Sequence, residues 1–393
     1  MRVVGTRALG LRTPIIRESD DLVFIICQTL KDAIEYEKIR INDGDIIGIT
    51  EAVVARSQGN YASLDQIAAD VKAHFDGHHL GIVFPILSRN RFAMLLKAFS
   101  LGAEKLTVML SYPGDEVGNQ LISWEDVDDK NLNPYTDCLS EKEYRRLFGN
   151  EIKHRFTGID YVSYYKSLGK NIEIVFCADP KRILDYTDQV IAADIHTRFR
   201  TKRALHAAGA KKVVGLDELL TKSVNGSGYN ELYGLLGSNK SSEDRVKLFP
   251  RNCDVFVQRL QQALLALSGK TVEVLVYGDG GFKDPVGGIW ELADPVVAPA
   301  FTSGLKGTPN ELKLKYLADN NFADLSKEEA RFEIEKAIQA KAGVDQMGKM
   351  ESEGTTPRQL TDLLGSLCDL VSGSGDKGTP VVLVQGYFDN YAS

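Results

Sequence analysis

One segment of the chain, VLVYGDGGFKDPVGG at residues 274–288, places carboxylates and glycines directly after an apolar run. Asp279 follows the run, and Lys283 and Asp284 come shortly after it. Hard cations such as Mg²⁺ prefer carboxylate oxygens, and glycine lets a backbone approach a phosphate group closely. The segment is therefore the best candidate for a metal or phosphate site. The alternative interpretation is a hairpin in which Asp-Gly forms only the turn.

A second candidate lies in residues 360–386, where LTDLLGSLCDLVSGSGDKGTPVVLVQG predicts a helix, a loop of small residues and a strand. Successive backbone amides in such a loop can bind an anion. The loop is not of the G-x-x-x-x-G-K-[ST] type, because Lys377 is followed by Gly378 and not by a hydroxyl residue. A plain flexible linker is the alternative interpretation.

Polar residues also follow an apolar run near the N-terminus, in DGDIIGITEAVVARSQG at residues 43–59. A strand over this run would deliver Arg56 and Gln58 to its far end, a common place for groups that bind a ligand. Upstream, TPIIRESDDL at residues 13–22 is typical of a helix N-terminus. There Ser19 would be the cap, and two aspartates would favour the helix dipole.

A further segment, HRFTGIDYVSYYKSLG at residues 154–169, has Asp160 two residues after a glycine. A lone aspartate near a glycine usually forms a turn, and a hard cation needs several oxygen ligands. Spacing alone therefore favours a turn over a metal ligand at Asp160. The six histidines of the chain include no H-E-x-x-H pattern of the kind found on zinc-binding helices.

Apolar runs rich in β-branched residues alternate with segments whose apolar residues recur every three or four positions. The runs predict strands, and the periodic segments predict helices. The mixture indicates an α+β or mixed α/β fold, although the pattern gives neither strand order nor direction. Two polar stretches, 114–141 and 223–244, predict long loops or boundaries. The predicted strands cover residues 45–50, 80–84, 105–110, 172–176, 271–277 and 380–385, and the predicted helices cover 21–36, 91–103, 198–208, 253–267, 327–340 and 357–371.

The composition is that of an ordinary globular protein with two or three domain-sized units: 393 residues, 43% hydrophobic and 26% charged. A net charge of −7 disfavours nucleic acid as a partner. The apolar runs fall far short of the roughly 20 residues that span a bilayer. Since MRVVGTRALG at the start is also unlike a signal peptide, we expect a cytoplasmic protein with no membrane partner. Five widely spaced cysteines, none in a C-x-x-C pattern, predict reduced thiols.

Taken in order, these segments resemble the coenzyme F-420:L-glutamate ligase family, the gamma-glutamyl ligases that use GTP to join glutamate to the tail of a deazaflavin coenzyme. PIIRESDDL is similar to the family's P-x-I-x-x-G-D-D-L, and DGDIIGITEAVVARSQG to its D-G-D followed by S-K-A-E-G. TGID is similar to N-A-G-I-D, and VYGDGG to T-D-T-N-G. The final GSGDKGTPVVLVQG is similar to G-E-G-G-D-G-I-P-x-V-V-V-R-G. The resemblance is to a divergent and longer member.

The resemblance implies a GTP site built from both ends of the chain. Thr13 and Pro14 would lie against the nucleotide, and Arg56 would contact phosphate where the family has a lysine. Ser163 would stand beside the nucleotide where the family has an asparagine. The last loop would close around it with Ser372, Gly373, Ser374, Gly375, Asp376, Gly378 and Thr379.

The resemblance also implies a metal site and catalytic residues. Asp160 and Asp279 would hold Mg²⁺ or Mn²⁺ at one centre, and Arg56 and Asp279 would be catalytic. The sequence departs from the family pattern at Gln58 and Ser374, which stand where the family has glutamates. Fewer carboxylates imply a weaker or differently built metal site.

For the whole chain, the resemblance implies a γ-glutamyl-ligase-like core formed by residues 1–60 and 265–393, with 151–180 contributing. Residues 61–150 and 181–264 would be family-divergent insertions. The partners would be L-glutamate, a small-molecule acceptor and a second copy of the chain in a homodimer. Two alternatives stay open: a catalytically silent nucleotide-binding or regulatory protein, and a γ-glutamyl ligase acting on another acceptor such as a folate.

Overall fold

The computed structural model of the protein describes residues 3–284, 288–290, 292–341, 345–346, 348–352, 358–372 and 376–392. In these residues the strands are β1 (Arg7–Leu11), β2 (Ile46–Thr50), β3 (Tyr61–Ser63), β4 (His79–Val83), β5 (Lys105–Leu110), β6 (Leu139–Ser140), β7 (Ile172–Phe176), β8 (Gln189–Ala192), β9 (Lys212–Gly215), β10 (Asn239–Lys240), β11 (Arg245–Lys247), β12 (Glu273–Tyr277), β13 (Ala300–Phe301) and β14 (Val381–Gln385). The α-helices are α1 (Leu22–Tyr36), α2 (Glu51–Ser57), α3 (Leu64–His74), α4 (Phe92–Gly102), α5 (Trp124–Asp129), α6 (Glu141–Phe148), α7 (Tyr161–Ser167), α8 (Arg198–Ala207), α9 (Cys253–Ser268), α10 (Leu314–Tyr316), α11 (Lys327–Ala340) and α12 (Leu360–Ser372).

The first sheet joins the two ends of the chain, because its strand order is β1-β14-β2-β12-β13. The β2 and β12 strands pair in parallel, whereas the other neighbours are antiparallel. Side chains alternate between the faces, so that Ile47 and Ile49 pack towards α1 and α9, and Ile46 packs towards α12. The close approach of α12 needs a glycine at Gly48, where a Cβ atom would lie 2.5 Å from the Sγ atom of Cys368.

The second sheet has the order β6-β7-β5-β4-β8-β9. The five strands from β7 to β9 in this order are parallel, and the edge strand β6 pairs with β7 in antiparallel fashion. The chain enters at β4, adds β5 and β7 on one side, and then crosses over to add β8 and β9 on the other. In such doubly wound sheets, ligands bind outside the carboxyl ends of the strands where the order reverses, which is here between β4 and β8. A third sheet, β10-β11-β3, is small.

The predicted α+β, mixed α/β fold class is confirmed, and each predicted strand and helix is present with its ends displaced by at most three residues. The sequence missed other elements, among them β1, the short α2 helix, the α3 helix and the strands β8 and β9. The two stretches expected to be long loops contain short elements, such as α5 in 114–141 and β10 in 223–244. Residues 151–180 contribute α7 and β7, and β7 lies in the six-stranded sheet. The division into a core and insertions stays a prediction.

The predicted cap of α1 is wrong. Ser19 has a φ of 68° and lies outside the helix. Asp21 is the cap, since its Oδ1 atom accepts a hydrogen bond of 3.2 Å from the backbone N–H of Phe24. The prediction of reduced thiols is confirmed, because all five cysteines are free. Among the helices of the described residues, none has the length and apolar character needed to cross a membrane.

Candidate functional site

The strand register collects four chain segments at one end of the five-stranded sheet. Leu11 pairs with Val381, Val381 with Ile49, and Ile49 with Val276. The residues that follow β1, β2 and β12 and those that precede β14 therefore lie at the same end. We call this end, formed by residues 12–13, 50–51, 278–279 and 379–380, the polar edge.

Two backbone hydrogen bonds connect the first and the second of these segments to the last part of the chain at the polar edge. The N–H of Thr13 donates to the carbonyl oxygen of Gly378 over 3.3 Å, and that of Thr50 to Pro380 over 3.0 Å. Both bonds connect residues from opposite ends of the sequence. The structure thus brings the predicted nucleotide residue Thr13 next to the predicted last loop.

A groove of about 940 Å³ runs along β1 beside α1 and reaches the polar edge. Arg12, Pro14, Lys377 and Thr379 line the end of the groove that is nearest to the polar edge. Two cationic side chains beside a loop of small residues suit a phosphate-bearing ligand. Two of the predicted nucleotide residues, Pro14 and Thr379, therefore share one cavity.

The described part of the last loop has a buried anchor and an exposed tip. Ser372 is buried at the end of α12, and its carbonyl oxygen accepts a hydrogen bond of 2.8 Å from the Oγ1 atom of Thr379. Asp376 and Gly378 are exposed, and Gly378 has a φ of 67°, which favours glycine. The predicted loop residues Gly373, Ser374 and Gly375 lie outside the described residues.

Arg56 and Gln58 lie at the end of the short α2 helix that follows β2, and not at the end of the strand itself as the sequence predicts. The Arg56 side chain is exposed and forms no ion pair with any described residue. The side-chain amide of Gln58 is used within the fold: its Nε2 atom donates to the carbonyl oxygen of Arg251 over 2.6 Å, and its Oε1 atom accepts from the N–H of Arg251 over 2.9 Å. A residue that stands where the family has a glutamate therefore has a structural role here.

Asp279 lies at the polar edge in contact with an arginine from the other large sheet. Its Oδ2 atom accepts hydrogen bonds from Nη2 of Arg91 over 2.9 Å and from the N–H of Ala293 over 3.2 Å. The Nη1 atom of Arg91 donates to Oδ1 of Asp294 over 2.6 Å, and the N–H of Asp279 donates to Oδ2 of Asp294 over 2.9 Å. Burial by itself would lower the pKa of Arg91, but the carboxylates of Asp294 and Asp279 raise it. Arg91 therefore stays charged.

Two more carboxylates extend this cluster. Glu51, the first residue of α2, forms a buried ion pair with Lys247, whose Nζ atom lies 2.5 Å from Oε1. Burial raises the pKa of Glu51, although the ammonium group of Lys247 opposes the shift. Asp369 of α12 accepts a hydrogen bond of 2.9 Å from the N–H of Gly280, and burial raises its pKa. We call the set Glu51, Arg91, Lys247, Asp279, Asp294 and Asp369 the charged cluster.

Asp160 lies in the six-stranded sheet unit, where it caps α7. Its four lone pairs are used: Oδ1 accepts from the N–H of Ser163 and from Nη2 of Arg145, and Oδ2 accepts from Nη1 of Arg145 and from the N–H of Ile152. Burial would raise the pKa of Asp160, but the bonds from Arg145 and the two amides lower it. Ser163 also binds Arg145, through its Oγ atom at 2.9 Å.

The two predicted metal ligands lie in different surroundings. Asp279 is 24% exposed and shares Arg91 with the buried Asp294, and its role as a metal ligand stays a prediction. Asp160 could bind a metal only if Arg145 moved away from it. Within the part of the chain that the structure describes, no group of three or more His, Cys, Asp or Glu residues is arranged to hold a metal ion. The convergence of Asp160 and Asp279 on one centre stays a prediction.

Sequence reasoning missed Arg91, Asp294, Lys247 and Asp369. One signal was available for Arg91, which is the first residue of the predicted helix that follows the apolar strand 80–84. An arginine at a helix N-terminus is unfavourable with the helix dipole, so its presence there indicates a carboxylate partner from elsewhere. Nothing in the sequence indicates which carboxylate that is.

Comparison with known protein families gives one match, which covers nearly the whole chain. A family model described as F420-0:Gamma-glutamyl ligase matches residues 10–386. No curated protein matches the chain. The family match begins in β1, ends directly after β14 and spans both large sheets. The chain therefore belongs to the F420-0:gamma-glutamyl ligase family, the ligases that make γ-glutamyl bonds.

Proposed function

We propose that the protein is a GTP-dependent γ-glutamyl ligase that adds L-glutamate to a cofactor-type acceptor such as F420-0 through an acyl phosphate. One observation carries the proposal: Thr13, Asp279 and Thr379, which are far apart in the sequence, belong to a single end of one sheet. The groove beside them offers Arg12 and Lys377 to phosphate groups.

The nucleotide lies at the polar edge in this proposal. Thr13 and Pro14 contact it on one side, and the loop of residues 372–379 contacts it on the other. The exposed Arg56 stabilises the negative charge of the phosphates. Ser163 joins the site after Arg145 releases it. Asp279 holds the divalent metal, Mg²⁺ or Mn²⁺, and Asp160 joins it when its bond to Arg145 opens.

The chemistry of ligation explains why such a site is needed. A carboxylate is a poor electrophile. Transfer of the γ-phosphoryl group of GTP to a carboxylate oxygen releases GDP and gives an acyl phosphate. The amine of the second substrate then attacks the acyl carbon, so that the C–N bond forms and phosphate leaves. A metal ion supplies charge neutralisation when bound, and Arg56 together with the loop amides positions the phosphates.

We also propose a homodimer located in the cytoplasm. The β1 strand pairs on one side with β14 and lies at the edge of its sheet, which leaves backbone groups for another partner. Phe24 and Tyr36 on the neighbouring α1 helix are 66% and 73% exposed, which is unusual for apolar side chains beside a large groove. The five free cysteines are compatible with a reducing compartment.

A thermal-shift experiment tests the nucleotide part of the proposal. GTP or GDP with Mg²⁺ or Mn²⁺ should raise the melting temperature, because a ligand that binds only the folded state stabilises it. Lys377→Ala should reduce the shift. Lys270→Ala is the matched control, since Lys270 pairs with Asp43 at the opposite end of the same sheet. The nucleotide proposal fails if neither guanine nor adenine nucleotides shift the melting temperature at millimolar concentration.

One observation favours a second candidate function, a catalytically silent nucleotide-binding or regulatory protein. The side-chain amide of Gln58 forms two hydrogen bonds with the backbone of Arg251. If that position must carry a carboxylate for ligation, the chain would bind nucleotide without turnover. A protein that binds GTP and glutamylates neither F420-0 nor a folate would support this candidate, whereas product formation with a folate alone would change only the acceptor.

A further inference from the structure

Two of the five cysteines lie opposite each other at one edge of the six-stranded sheet. The edge strand β6 pairs with β7 so that Leu139 is opposite Phe176. The same register places Cys138, which directly precedes β6, opposite Cys177, which directly follows β7. Both cysteines pack in one apolar cluster. The fold therefore brings together two thiols that are far apart in the sequence.

The backbone hydrogen bonds show which kind of cross-strand pair the two cysteines form. The N–H of Cys177 donates to the carbonyl oxygen of Leu110 on β5 over 3.1 Å, so it faces away from β6. The N–H of the next residue, Ala178, faces the other way and donates to Pro134 over 2.8 Å. Cys138 and Cys177 therefore form a non-hydrogen-bonded pair, in which Cα atoms are typically about 4.5 Å apart and side chains lie close together. A disulfide bond requires a Cα separation of roughly 4.4–6.8 Å, so the pair can be bridged.

The two thiols differ in their access to solvent. Cys177 is 0% exposed, whereas Cys138 is half-buried. Burial raises the pKa of Cys177 to about 12, and a hydrogen bond with the Cys138 thiol adds to the shift. Cys177 is thus uncharged and shielded. A solute reaches Cys138 first.

A cation lies beside the accessible sulfur atom. Arg182 belongs to the 3₁₀ turn Pro180–Asp185 that follows β7, and its guanidinium donates a hydrogen bond to the sulfur of Cys138. This bond and the carboxylate of Asp185 raise the pKa of Arg182. A guanidinium beside a sulfur atom stabilises the thiolate, which is the form that attacks an electrophile. The accessible sulfur therefore has an activating cation on one side and a second sulfur on the other.

We propose that Cys138 and Cys177 form an oxidative modification site, at which a peroxide converts the two thiols into one disulfide bond. The inference does not depend on the proposed ligase activity. In the first step, the sulfur of Cys138 attacks an oxygen of hydrogen peroxide. The S–O bond forms, the O–O bond breaks, and the leaving hydroxide takes up the thiol proton as water. The sulfur loses two electrons to the peroxide and becomes a sulfenic acid.

The second step uses the buried thiol. The sulfur of Cys177 attacks the sulfur of the Cys138 sulfenic acid, so that the S–S bond forms and the S–O bond breaks. Hydroxide leaves and takes up the proton of the Cys177 thiol, which gives a second water molecule. A bond at the short end of the allowed Cα spacing is easily reduced. A thiol reductant should therefore restore both cysteines.

The test treats the reduced, full-length protein with hydrogen peroxide, blocks the remaining thiols with iodoacetamide and identifies linked peptides by mass spectrometry after proteolysis. The wild type should give a peptide pair joined through Cys138 and Cys177, which dithiothreitol separates. Cys177→Ala should stop at the sulfenic acid of Cys138, which dimedone labels. Cys27→Ser is the matched control, because Cys27 is the other half-buried cysteine and lies on α1, beside the five-stranded sheet. The control should form the disulfide to the same extent as the wild type.

The absence of this linked pair in the oxidised wild type would overturn the inference, as would equal dimedone labelling of Cys138 in the wild type and in Cys177→Ala. If Cys177→Ala does not fold, the rates at which iodoacetamide labels the reduced wild type give a second test. Cys138 should react at least about tenfold faster than Cys177, because only Cys138 is accessible and lies beside a cation. Equal rates would contradict the assignment of Cys138 as the attacking thiol.

Discussion

Asp279→Asn separates the proposed catalytic role of Asp279 from its role in packing. The substitution removes one negative charge with almost no change in shape. In the wild type, Oδ2 accepts from Arg91 over 2.9 Å and from Ala293 over 3.2 Å, and the asparagine oxygen can still accept one of these bonds. A hydrogen bond to a charged group is worth about 1.5–3 kcal/mol. Arg91 still pairs with Asp294 in the variant, and Asp279 is partly exposed. We therefore expect the free energy of unfolding to fall by about 1.5 kcal/mol.

The effect on activity should be larger. Loss of one electrostatic contact to a transferred phosphoryl group costs about 3 kcal/mol in the transition state, which is about a hundredfold in kcat/KM. The assay compares urea unfolding, far-ultraviolet circular dichroism and initial rates of ligation at saturating Mn²⁺. Asp43→Asn is the matched control, since Asp43 pairs with Lys270 over 2.8 Å at the opposite end of the same sheet.

The control variant should keep wild-type rates. A wild-type rate in Asp279→Asn would refute the reasoning and leave Asp279 as a turn residue that binds Arg91. An equal loss of rate in Asp43→Asn would show that the effect is not specific to the polar edge. Loss of the folded circular dichroism spectrum in Asp279→Asn would mean that its bonds to Arg91 and Ala293 are needed for folding.

Three further predictions follow from the same structure. Lys247→Met leaves Glu51 buried without a cation and should lower the free energy of unfolding by about 3–5 kcal/mol in urea titrations, whereas adding Glu51→Gln should restore most of it; no loss in the single variant would contradict the buried pair. Burial raises the pKa of Asp194 to about 6. The folded state then holds its proton more tightly than the unfolded state, so relative to Asp194→Asn the wild type should lose about 2–3 kcal/mol of stability as the pH rises from about 4 to about 6, as measured by urea unfolding; a flat difference would contradict this. Static light scattering at micromolar concentration should give twice the chain mass of 43.3 kDa, and a mass near 43.3 kDa would contradict the homodimer.

The elements of the fold were predictable because each depends on a local pattern. Strands such as β5 and β7 are short runs dominated by apolar residues, and α11 repeats its apolar positions at helical spacing after the Ser326 cap. Several elements were missed all the same, among them α3 and β1. The β1 strand, RALGL, is short and half exposed at a sheet edge, so burial leaves little trace of it in the sequence.

The candidate site was predictable only in part, for a physical reason. The segments at the polar edge stand out one by one because each combines polar or small residues with the end of a strand. Their partners do not, since the contact between Arg91 and Asp279 joins residues 188 positions apart and depends on how two sheets dock. Likewise, the sequence indicates only a turn at Asp160, and its pairing with Arg145 depends on how α6 and α7 both pack against β7.

The most direct test of the proposed function is a ligation reaction with the full-length protein, F420-0, L-glutamate, GTP and Mn²⁺, followed by mass spectrometry of the acceptor and quantification of GDP. The account predicts an acceptor that gains one glutamyl residue, with GDP formed in equal amount, and no product when L-glutamate, GTP or the metal is omitted. GTP binding without any glutamylated product, from F420-0 or from a folate, would contradict it.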